Sequence, residues 1–449
     1  MNSDARRRTI VKWGLITSLV NRGAVAVVPL LMVPLALKHL GAANYGVWIA
    51  TTSLTSIVGF ADLGVGVGLM TKLGALGLEP GTQKKARELI AGGYLATGAV
   101  SALLISVLLV VPAFRPWSEI LGIVNETDPL TTNIIILVTV GAVCISIPLS
   151  LIVRIQYGLG QQTRSNLWQT VASFSSLAVA VVVVTASEQP TLFVAAVAFC
   201  PPFFNVLNTL TFLRSRNGSA YVPSFGPQTY SEALGLLKVG APFLAITLLM
   251  SISISLDPWV ISRSLGAESV AEFAVPQKMF VALTGIAVTV GMPLWPLYSR
   301  AVITGDHGWI SKMTSRLVVA VAAATAVLGI GAVLLAPAIV HYWLDDQIPV
   351  NRKLWICLAI FALLQAAASP LFMVQNGGNY LRPQLWGYAL FAVISLPAKL
   401  VLAPAVGGEG VVIISILGYL LLIWPACLTG YAQTLRNARA NSRVSGRVT

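Results

Sequence analysis

The chain is 449 residues long, 56% of its residues are hydrophobic and only 10% are charged. Soluble globular domains average about 25% charged residues, so this composition excludes an ordinary soluble protein. The formal net charge of +13 would indicate nucleic-acid binding in a soluble chain, but here the positions of the cations indicate the orientation of membrane spans instead.

Apolar segments of spanning length follow one another from one end of the chain to the other. A transmembrane helix needs about 20 mostly apolar residues to cross about 30 Å of hydrocarbon. The twelve segments that meet this requirement are 11–37, 46–71, 88–112, 130–153, 167–187, 190–213, 236–263, 270–298, 312–342, 352–375, 382–403 and 410–435. The sequence therefore predicts an all-α fold, a polytopic membrane protein with about 12 transmembrane helices.

The cations are distributed unevenly between the two sides of these spans. With a cytoplasmic N-terminus, 21 of the 29 Lys and Arg residues fall in or beside cytoplasmic segments, and six lie on the opposite side. An excess of Lys and Arg in short loops sets the orientation of a membrane protein. The sequence therefore predicts cytoplasmic N- and C-termini, and the basic charge needs no nucleic-acid partner.

Motifs of soluble enzymes and metal sites are not evident in the sequence. The four cysteines lie within predicted spans without a CxxC pair, and the three histidines lie in separate loops. Neither a disulfide, a metal site nor a catalytic set is expected from this arrangement. Gly64 and Gly68 are predicted to form a small-residue face for close helix packing.

The two halves of the chain repeat each other weakly. Leu40-Gly41 follows the first span and Leu265-Gly266 follows the seventh, an offset of 225 residues. Six spans in each half give both halves the same orientation, which is a parallel repeat about an axis along the membrane normal.

This repeat predicts the organisation of the chain. We expect an N-terminal six-helix bundle at 1–220, a cytoplasmic linker at 221–238 and a C-terminal six-helix bundle at 239–449. Two such bundles around a central cavity can rock to expose that cavity alternately to either side, an architecture typical of transporters.

Four ionisable residues lie inside predicted spans. Arg22 is near the middle of the first span, where a charge costs at least ~2.5–3.5 kcal/mol and normally faces a partner or a wet cavity. Asp62 lies in the inner third of its span, where a packing or gating role is expected. Asp257 and Lys278 are on adjacent spans in the outer third, where they could form a structural pair or act separately.

The repeat does not duplicate these charges. The ungapped offset places Thr247 opposite Arg22 and Met32 opposite Asp257. A charge that serves only architecture is expected in both halves, so an unduplicated charge favours a ligand-facing role, although divergence gives the same result.

Two prolines interrupt the hydrogen-bonding pattern of the first span. Pro29 and Pro34 each remove a backbone hydrogen bond and bend a helix. A bending gate and a static curvature are both compatible with this pattern.

Short motifs in the first loop and second span carry a family resemblance. The segment VPLALKHLGAANYGVW, followed by GFADLGVG, resembles the opening of the polysaccharide-transport branch (O-antigen and exopolysaccharide flippases) of the multidrug/oligosaccharidyl-lipid/polysaccharide exporter superfamily. The residues that carry it are Leu40, Gly41, Tyr45, Gly46, Asp62, Leu63 and Gly64, and in the second half Asp257 before Leu265-Gly266, with Phe273 where the family often has Tyr. The resemblance extends over the whole chain in length, number of spans and loop pattern.

The resemblance implies a protein of the bacterial inner membrane that is a transporter and not an enzyme. Its expected function is to move an undecaprenyl-pyrophosphate-linked oligosaccharide to the outer leaflet for surface polysaccharide biosynthesis, by alternating access. The expected partners are this lipid-linked oligosaccharide, the lipid bilayer and a polysaccharide polymerase or co-polymerase. No cofactor is expected, and coupling to a proton or sodium gradient is left open.

The same resemblance gives roles to the conspicuous residues. Arg22, Asn21 and Lys278 are expected to bind the substrate, with the two cations contacting its phosphates. The coupling or gating candidates are Asp257, Asp62, Pro29 and Pro34.

Two other functions compete with this interpretation. A drug/cation antiporter of the same superfamily would share the layout but would be expected to rely on acidic residues in its cavity. A membrane-embedded polysaccharide polymerase or ligase would need a sizeable catalytic loop, and the largest outer loop, near 113–129, is short.

Overall fold

The computed structural model describes residues 3–58, 64–76, 81–123, 128–216, 218–291, 295–378 and 380–445. Throughout these ranges the regular structure is helical, with no β-strand. The α-helices within them are α1 (Ser3–Val58), α2 (Val65–Leu76), α3 (Gln83–Val110), α4 (Trp117–Leu121), α5 (Pro129–Leu149), α6 (Leu151–Gly158), α7 (Gln162–Ala186), α8 (Pro190–Arg214), α9 (Thr229–Met250), α10 (Asp257–Leu265), α11 (Ala267–Gly291), α12 (Trp295–Thr304), α13 (His307–Leu344), α14 (Arg352–Gly377), α15 (Arg382–Gly418) and α16 (Trp424–Ser445). π-Helical turns at Ser251–Ser255 and Tyr419–Ile423 join α9 to α10 and α15 to α16.

Among the described residues each of the twelve predicted spans is mostly helical, which confirms the all-α polytopic membrane fold. Eight of the described helical stretches are long and apolar enough to cross a membrane, by length and composition: Ile16–Ser56, Gln83–Ala113, Pro129–Gly158, Gln162–Ala186, Pro190–Arg214, His307–Leu344, Arg352–Gly377 and Arg382–Ala440. The first contains parts of the predicted spans 11–37 and 46–71, and the last contains 382–403 and 410–435, because a glycine turn at Gly41 or Gly407 joins consecutive helices.

The predicted Leu-Gly repeat marks the same backbone turn in both halves. Gly41 interrupts α1 with φ 72° and ψ 166°, and Gly266 follows α10 with φ 89° and ψ 165°. Only glycine adopts this region without strain. A Cβ at either position would meet no atom within 4 Å, so backbone conformation and not lack of space requires glycine here.

The chain divides into two compact units, Met1–Leu248 and Leu249–Thr449. In the first unit α1 packs against α5 and α7, α5 packs against α3 and α8, and α2 packs against α3 and α6. One end of this unit has a buried core that includes Val65, Leu89, Ile152 and Leu236. Leu236 belongs to the predicted linker 221–238, so the last part of that segment is helical and buried in the first unit.

In the second unit α14 is the central helix. It packs against α11, α12, α13, α15 and α16, while α10 packs against α11 and α15. The buried core at one end of α14 includes Tyr298, Ile310, Met373 and Ala438.

Close packing near Gly64 and Gly68 differs from the prediction. Gly64 has φ 72° and precedes α2, so it lies outside that helix and does not share a helical face with Gly68. Gly68 does pack closely, because a Cβ there would lie 2.7 Å from the carbonyl oxygen of Leu236. Close packing therefore requires a small residue at Gly68, whereas Gly64 is set apart by its positive φ.

Candidate functional site

A buried ion pair lies inside the second unit. The Lys399 Nζ atom on α15 donates to the Asp257 Oδ1 atom at 2.6 Å and to the carbonyl oxygen of Ser253 at 2.8 Å. The side chains of Lys399 and Asp257 are only 1% and 5% exposed. Full burial of two opposite charges is costly unless their hydrogen bonds are satisfied, so a retained pair of this kind is a candidate for a functional role.

The local sequence explains why an acid and a free carbonyl meet at this point. Asp257 is the first residue of α10, where a carboxylate interacts favourably with the helix dipole, and Pro258 follows in a position that needs no donated hydrogen bond. The preceding turn, Ser251–Ser255, is π-helical. Single π-helical turns loosen the regular bonding pattern and occur frequently at functional sites; here Ser253 uses its carbonyl oxygen to hold Lys399.

Two further side chains complete the surroundings of the pair. The Ser415 hydroxyl donates to the Val411 carbonyl oxygen at 3.2 Å and lies close to the Asp257 carboxylate. The Lys399 Nζ atom lies 5.8 Å from the centroid of the Phe391 ring, within the range of a cation–π interaction. The ammonium group is therefore held on three sides.

Asp257 also lines a small cavity of about 30 Å³ within the second unit. This volume is enough for one or two water molecules. Among its walls are the amide side chains of Gln277 and Gln365, with Phe280 and Phe361 supplying apolar surface. The cavity therefore places two amide-bearing residues and room for water beside the otherwise buried acid.

Arg22 and Asn21 lie in the first unit and face different surroundings. Asn21 is 8% exposed, and the Thr170 hydroxyl of α7 donates to its Oδ1 atom at 3.4 Å. Arg22, one residue further, is half-buried. The geometry therefore ties Asn21 into the contact between α1 and α7 and leaves the neighbouring guanidinium at the edge of that contact.

The remaining predicted residues are dispersed. Lys278 is half-buried near the middle of α11, one residue beyond the cavity-lining Gln277. Asp62 lies outside the described residues. Pro29 is exposed and Pro34 half-buried in α1, but the non-helical backbone of that helix is at Gly41. A gating role for the two prolines stays a prediction.

The sequence left Lys278 open as a partner of Asp257, whereas the structure pairs Asp257 with Lys399. Lys399 was counted with the outer-side charges because the predicted span ended at residue 403. The backbone of α15 leaves the helical conformation at Gly407, so Lys399 does lie near the end of its span, and it is the packing of α15 against α10 that buries it. The sequence does indicate that Lys399 lies in apolar surroundings, because apolar residues flank it on both sides. These are Leu396, Pro397 and Ala398 before it and Leu400, Val401 and Leu402 after it.

Solved transporter structures share the fold of this chain. An inward-facing multidrug resistance MATE family transporter of the MOP superfamily is similar with a TM-score of 0.73 and 14% identity, covering 96% of this chain and 99% of that chain. The fold is that of MATE transporters and MurJ. The lipid II flippase MurJ, in its inward closed conformation, has a TM-score of 0.70 and 13% identity, covering 96% of this chain and 90% of that chain.

A third structure extends the comparison. The Vibrio cholerae MATE transporter VcmN, in its bent form, has a TM-score of 0.61 and 16% identity, covering 97% of this chain and 99% of that chain. No family model matches the sequence, and no curated protein matches it. The likeness to these structures establishes the fold. It does not identify the substrate.

Proposed function

We propose that the chain is a flippase that moves an undecaprenyl-pyrophosphate-linked oligosaccharide across the bacterial inner membrane for surface polysaccharide biosynthesis. The observation that carries the proposal is the likeness to the lipid II flippase MurJ over 96% of this chain. The half-buried Arg22 and Lys278 in apolar helices supply cations of the kind that an anionic head group requires. The termini face the cytoplasm in this proposal, as the Lys and Arg distribution predicts.

The chemistry of the substrate fits cations placed at mid-depth. A pyrophosphate and a polar glycan cannot cross about 30 Å of hydrocarbon unaided, whereas the lipid tail can stay in the bilayer. Arginine is suited to phosphate because its planar guanidinium donates two parallel hydrogen bonds. Arg22 therefore binds the pyrophosphate in this proposal, with Lys278 as a second cation and Asn21 positioning the helix that carries Arg22.

The ion pair supplies the coupling step of the proposal. A proton that enters the cavity beside Gln277 and binds Asp257 neutralises the carboxylate and leaves Lys399 without its counter-ion. Because an unpaired buried charge is strongly unfavourable, the contact between α10 and α15 then has to rearrange. Sodium arriving at the same carboxylate would compete with the ammonium group and have a similar effect.

Substitution of Arg22 tests the substrate assignment. Arg22→Ala should give a folded, membrane-inserted protein that no longer supports surface-polysaccharide display in cells, and Arg22→Lys should retain part of the activity because the charge remains. The matched control is Arg316→Ala, which removes an exposed arginine from α13. Normal display by Arg22→Ala would overturn the assignment.

A second candidate function, a drug/cation antiporter, is favoured by the likeness to MATE transporters. The two functions differ in the charge of the transported group. An antiporter should raise resistance to cationic drugs in a strain without efflux pumps, and Arg22→Ala should leave that resistance unchanged or increase it. A flippase should have no effect on drug resistance and should lose its activity in the same variant.

A further inference from the structure

Both units contain a cluster of buried amides at a helix end, which the transport proposal does not use. Gln156-Tyr157-Gly158 ends α6 in the first unit, and Gln375-Asn376-Gly377 ends α14 in the second. Corresponding residues are 219 positions apart. Gln156 and Gln375 are both 0% exposed.

The backbone closes in the same way after each glutamine. The Gln161 N–H donates to the Gln156 carbonyl oxygen at 2.7 Å, and the Tyr380 N–H donates to the Gln375 carbonyl oxygen at 2.9 Å. These four residues keep the offset of 219. The two segments therefore share a local fold as well as a sequence pattern.

Each glutamine side chain binds a later helix of its own unit. The Gln156 Nε2 atom donates to the Asn208 Oδ1 atom on α8 at 2.7 Å, and the Asn208 Nδ2 atom donates back to Gln156 Oε1 at 3.1 Å. The Gln375 Nε2 atom donates to the backbone carbonyl oxygen of Cys427 on α16 at 2.8 Å. Asn208 and Cys427 are again 219 residues apart and both 0% exposed.

The residue after each glutamine binds the helix in between. The Tyr157 hydroxyl donates to the Asn166 Oδ1 atom on α7 at 2.6 Å, and the Gln384 Nε2 atom on α15 donates to the Asn376 Oδ1 atom at 3.0 Å. Each cluster thus connects three helices at one level: α6, α7 and α8 in the first unit, and α14, α15 and α16 in the second.

The glycine of each motif brings a fourth helix against the cluster. A Cβ on Gly158 would lie 2.8 Å from the Leu73 Cβ atom of α2, and a Cβ on Gly377 would lie 3.0 Å from the Ser299 backbone nitrogen of α12. These close contacts leave no room for a Cβ at either glycine. A buried amide that loses its partner is left unsatisfied, which is costly.

We propose that these two clusters are amide clamps that keep α6, α7 and α8 of the first unit, and α14, α15 and α16 of the second, together as rigid groups throughout the transport cycle. The N-terminal clamp consists of Gln156, Tyr157, Asn166 and Asn208, and the C-terminal clamp of Gln375, Asn376, Gln384 and the Cys427 carbonyl. The inference rests on the proposed function in that the cycle requires the two units to change conformation. Transport then proceeds by movement of these groups as bodies and not by separation of their helices.

Distance measurements between spin labels test the N-terminal clamp. Labels are attached at the exposed residues Arg154 on α6 and Thr211 on α8, in a background without native cysteines, and the protein is placed in nanodiscs. We expect one narrow distance distribution that is unchanged by added undecaprenyl pyrophosphate. Gln156→Leu should broaden that distribution, whereas Gln162→Leu, which changes the exposed glutamine at the start of α7, should not. If Gln156→Leu is not recovered as folded protein, Asn208→Ser cuts the same pair of bonds.

The outcomes separate the clamp from the transport proposal. A label pair that joins the two units, Leu167 with Trp386, reports whether undecaprenyl pyrophosphate changes the conformation at all. If that pair does not respond but Gln156→Leu broadens the internal distance, the proposed function fails and the clamp stands. If the internal distance shifts with undecaprenyl pyrophosphate, or if Gln156→Leu leaves it narrow, the clamp is wrong.

Discussion

Removal of the Lys399 ammonium group should destabilise the second unit severely. Lys399→Met keeps the length and the apolar stem of the side chain but leaves the Asp257 carboxylate, 5% exposed and formerly 2.6 Å from its cation, without a counter-ion. Removing one partner of a buried pair costs about 3–5 kcal/mol. The donated bond to the Ser253 carbonyl oxygen, 2.8 Å long, is lost in the same step. We therefore expect the free energy of unfolding to fall by about 3–5 kcal/mol.

Two matched variants separate the buried charge from other effects of the substitution. Replacement of both partners, Asp257→Leu with Lys399→Met, removes the orphaned charge, and apolar replacement of a whole buried pair is often neutral or stabilising. Arg115→Met cuts an exposed ion pair, Arg115–Glu119, of similar length, 2.9 Å, with side chains 66% and 56% exposed. Exposed pairs contribute about 0–1 kcal/mol, so Arg115→Met should have little effect.

The assay is unfolding of the purified protein by sodium dodecyl sulfate in mixed micelles, followed by tryptophan fluorescence. The wild type, the single variants Asp257→Leu and Lys399→Met, and the double variant form a double-mutant cycle that measures the coupling of Asp257 and Lys399 directly. The reasoning is refuted if Lys399→Met is no worse than Arg115→Met, or if the double variant loses as much stability as the two single variants together. A double variant that is stable but inactive in transport would support the coupling role of Asp257.

Two glycine substitutions are expected to have effects of known origin. Gly41→Ala should cost about 1–3 kcal/mol of stability because it forces a side chain into a glycine-only backbone region. Gly98→Ala is the control and should be neutral or stabilising, because its Cβ would meet no atom within 4 Å and its φ is not positive. Equal thermal unfolding midpoints for the two variants would contradict this. Gly158→Ala should cost about 1–3 kcal/mol of stability through overpacking, because its Cβ would lie 2.8 Å from the Leu73 Cβ atom. An unchanged unfolding curve would contradict this and show that α2 moves away freely.

Much of the fold follows from the sequence because the bilayer imposes one dominant rule. Each apolar segment of sufficient length must be helical to satisfy its backbone hydrogen bonds in hydrocarbon, and the described residues of all twelve predicted spans are mostly helical. The Leu-Gly repeat was also informative, since Gly41 and Gly266 adopt nearly the same non-helical φ and ψ. In both cases a few neighbouring residues determine the local backbone conformation.

The pairing of charges could not be predicted in the same way. Hydropathy counts Lys399 at the end of a span, and only the packing of α15 against α10 buries it beside Asp257. Which face of α1 carries Asn21 depends on the position of Thr170 in α7. Such contacts join residues about 140 to 150 positions apart, and they depend on tertiary packing that no local pattern specifies.

The repeated amide clamps were also absent from the sequence interpretation. The motif Gln-Xaa-Gly is short, and its offset of 219 differs from the 225 of the Leu-Gly pair. A search at one fixed offset therefore misses it. The correspondence is visible in the structure, because the carbonyl oxygens of Gln156 and Gln375 accept equivalent backbone hydrogen bonds.

The central claim, that the chain flips a pyrophosphate-linked oligosaccharide lipid, is tested most directly in proteoliposomes. A fluorescent undecaprenyl-pyrophosphate-linked oligosaccharide is placed in the membrane, and a membrane-impermeant reductant measures how much of it reaches the other leaflet. The account predicts rapid transfer by the wild-type protein, near-background transfer by Arg22→Ala and wild-type transfer by Arg316→Ala. If the wild-type protein leaves the lipid in its original leaflet but exchanges a cationic drug for protons in the same vesicles, the claim is contradicted.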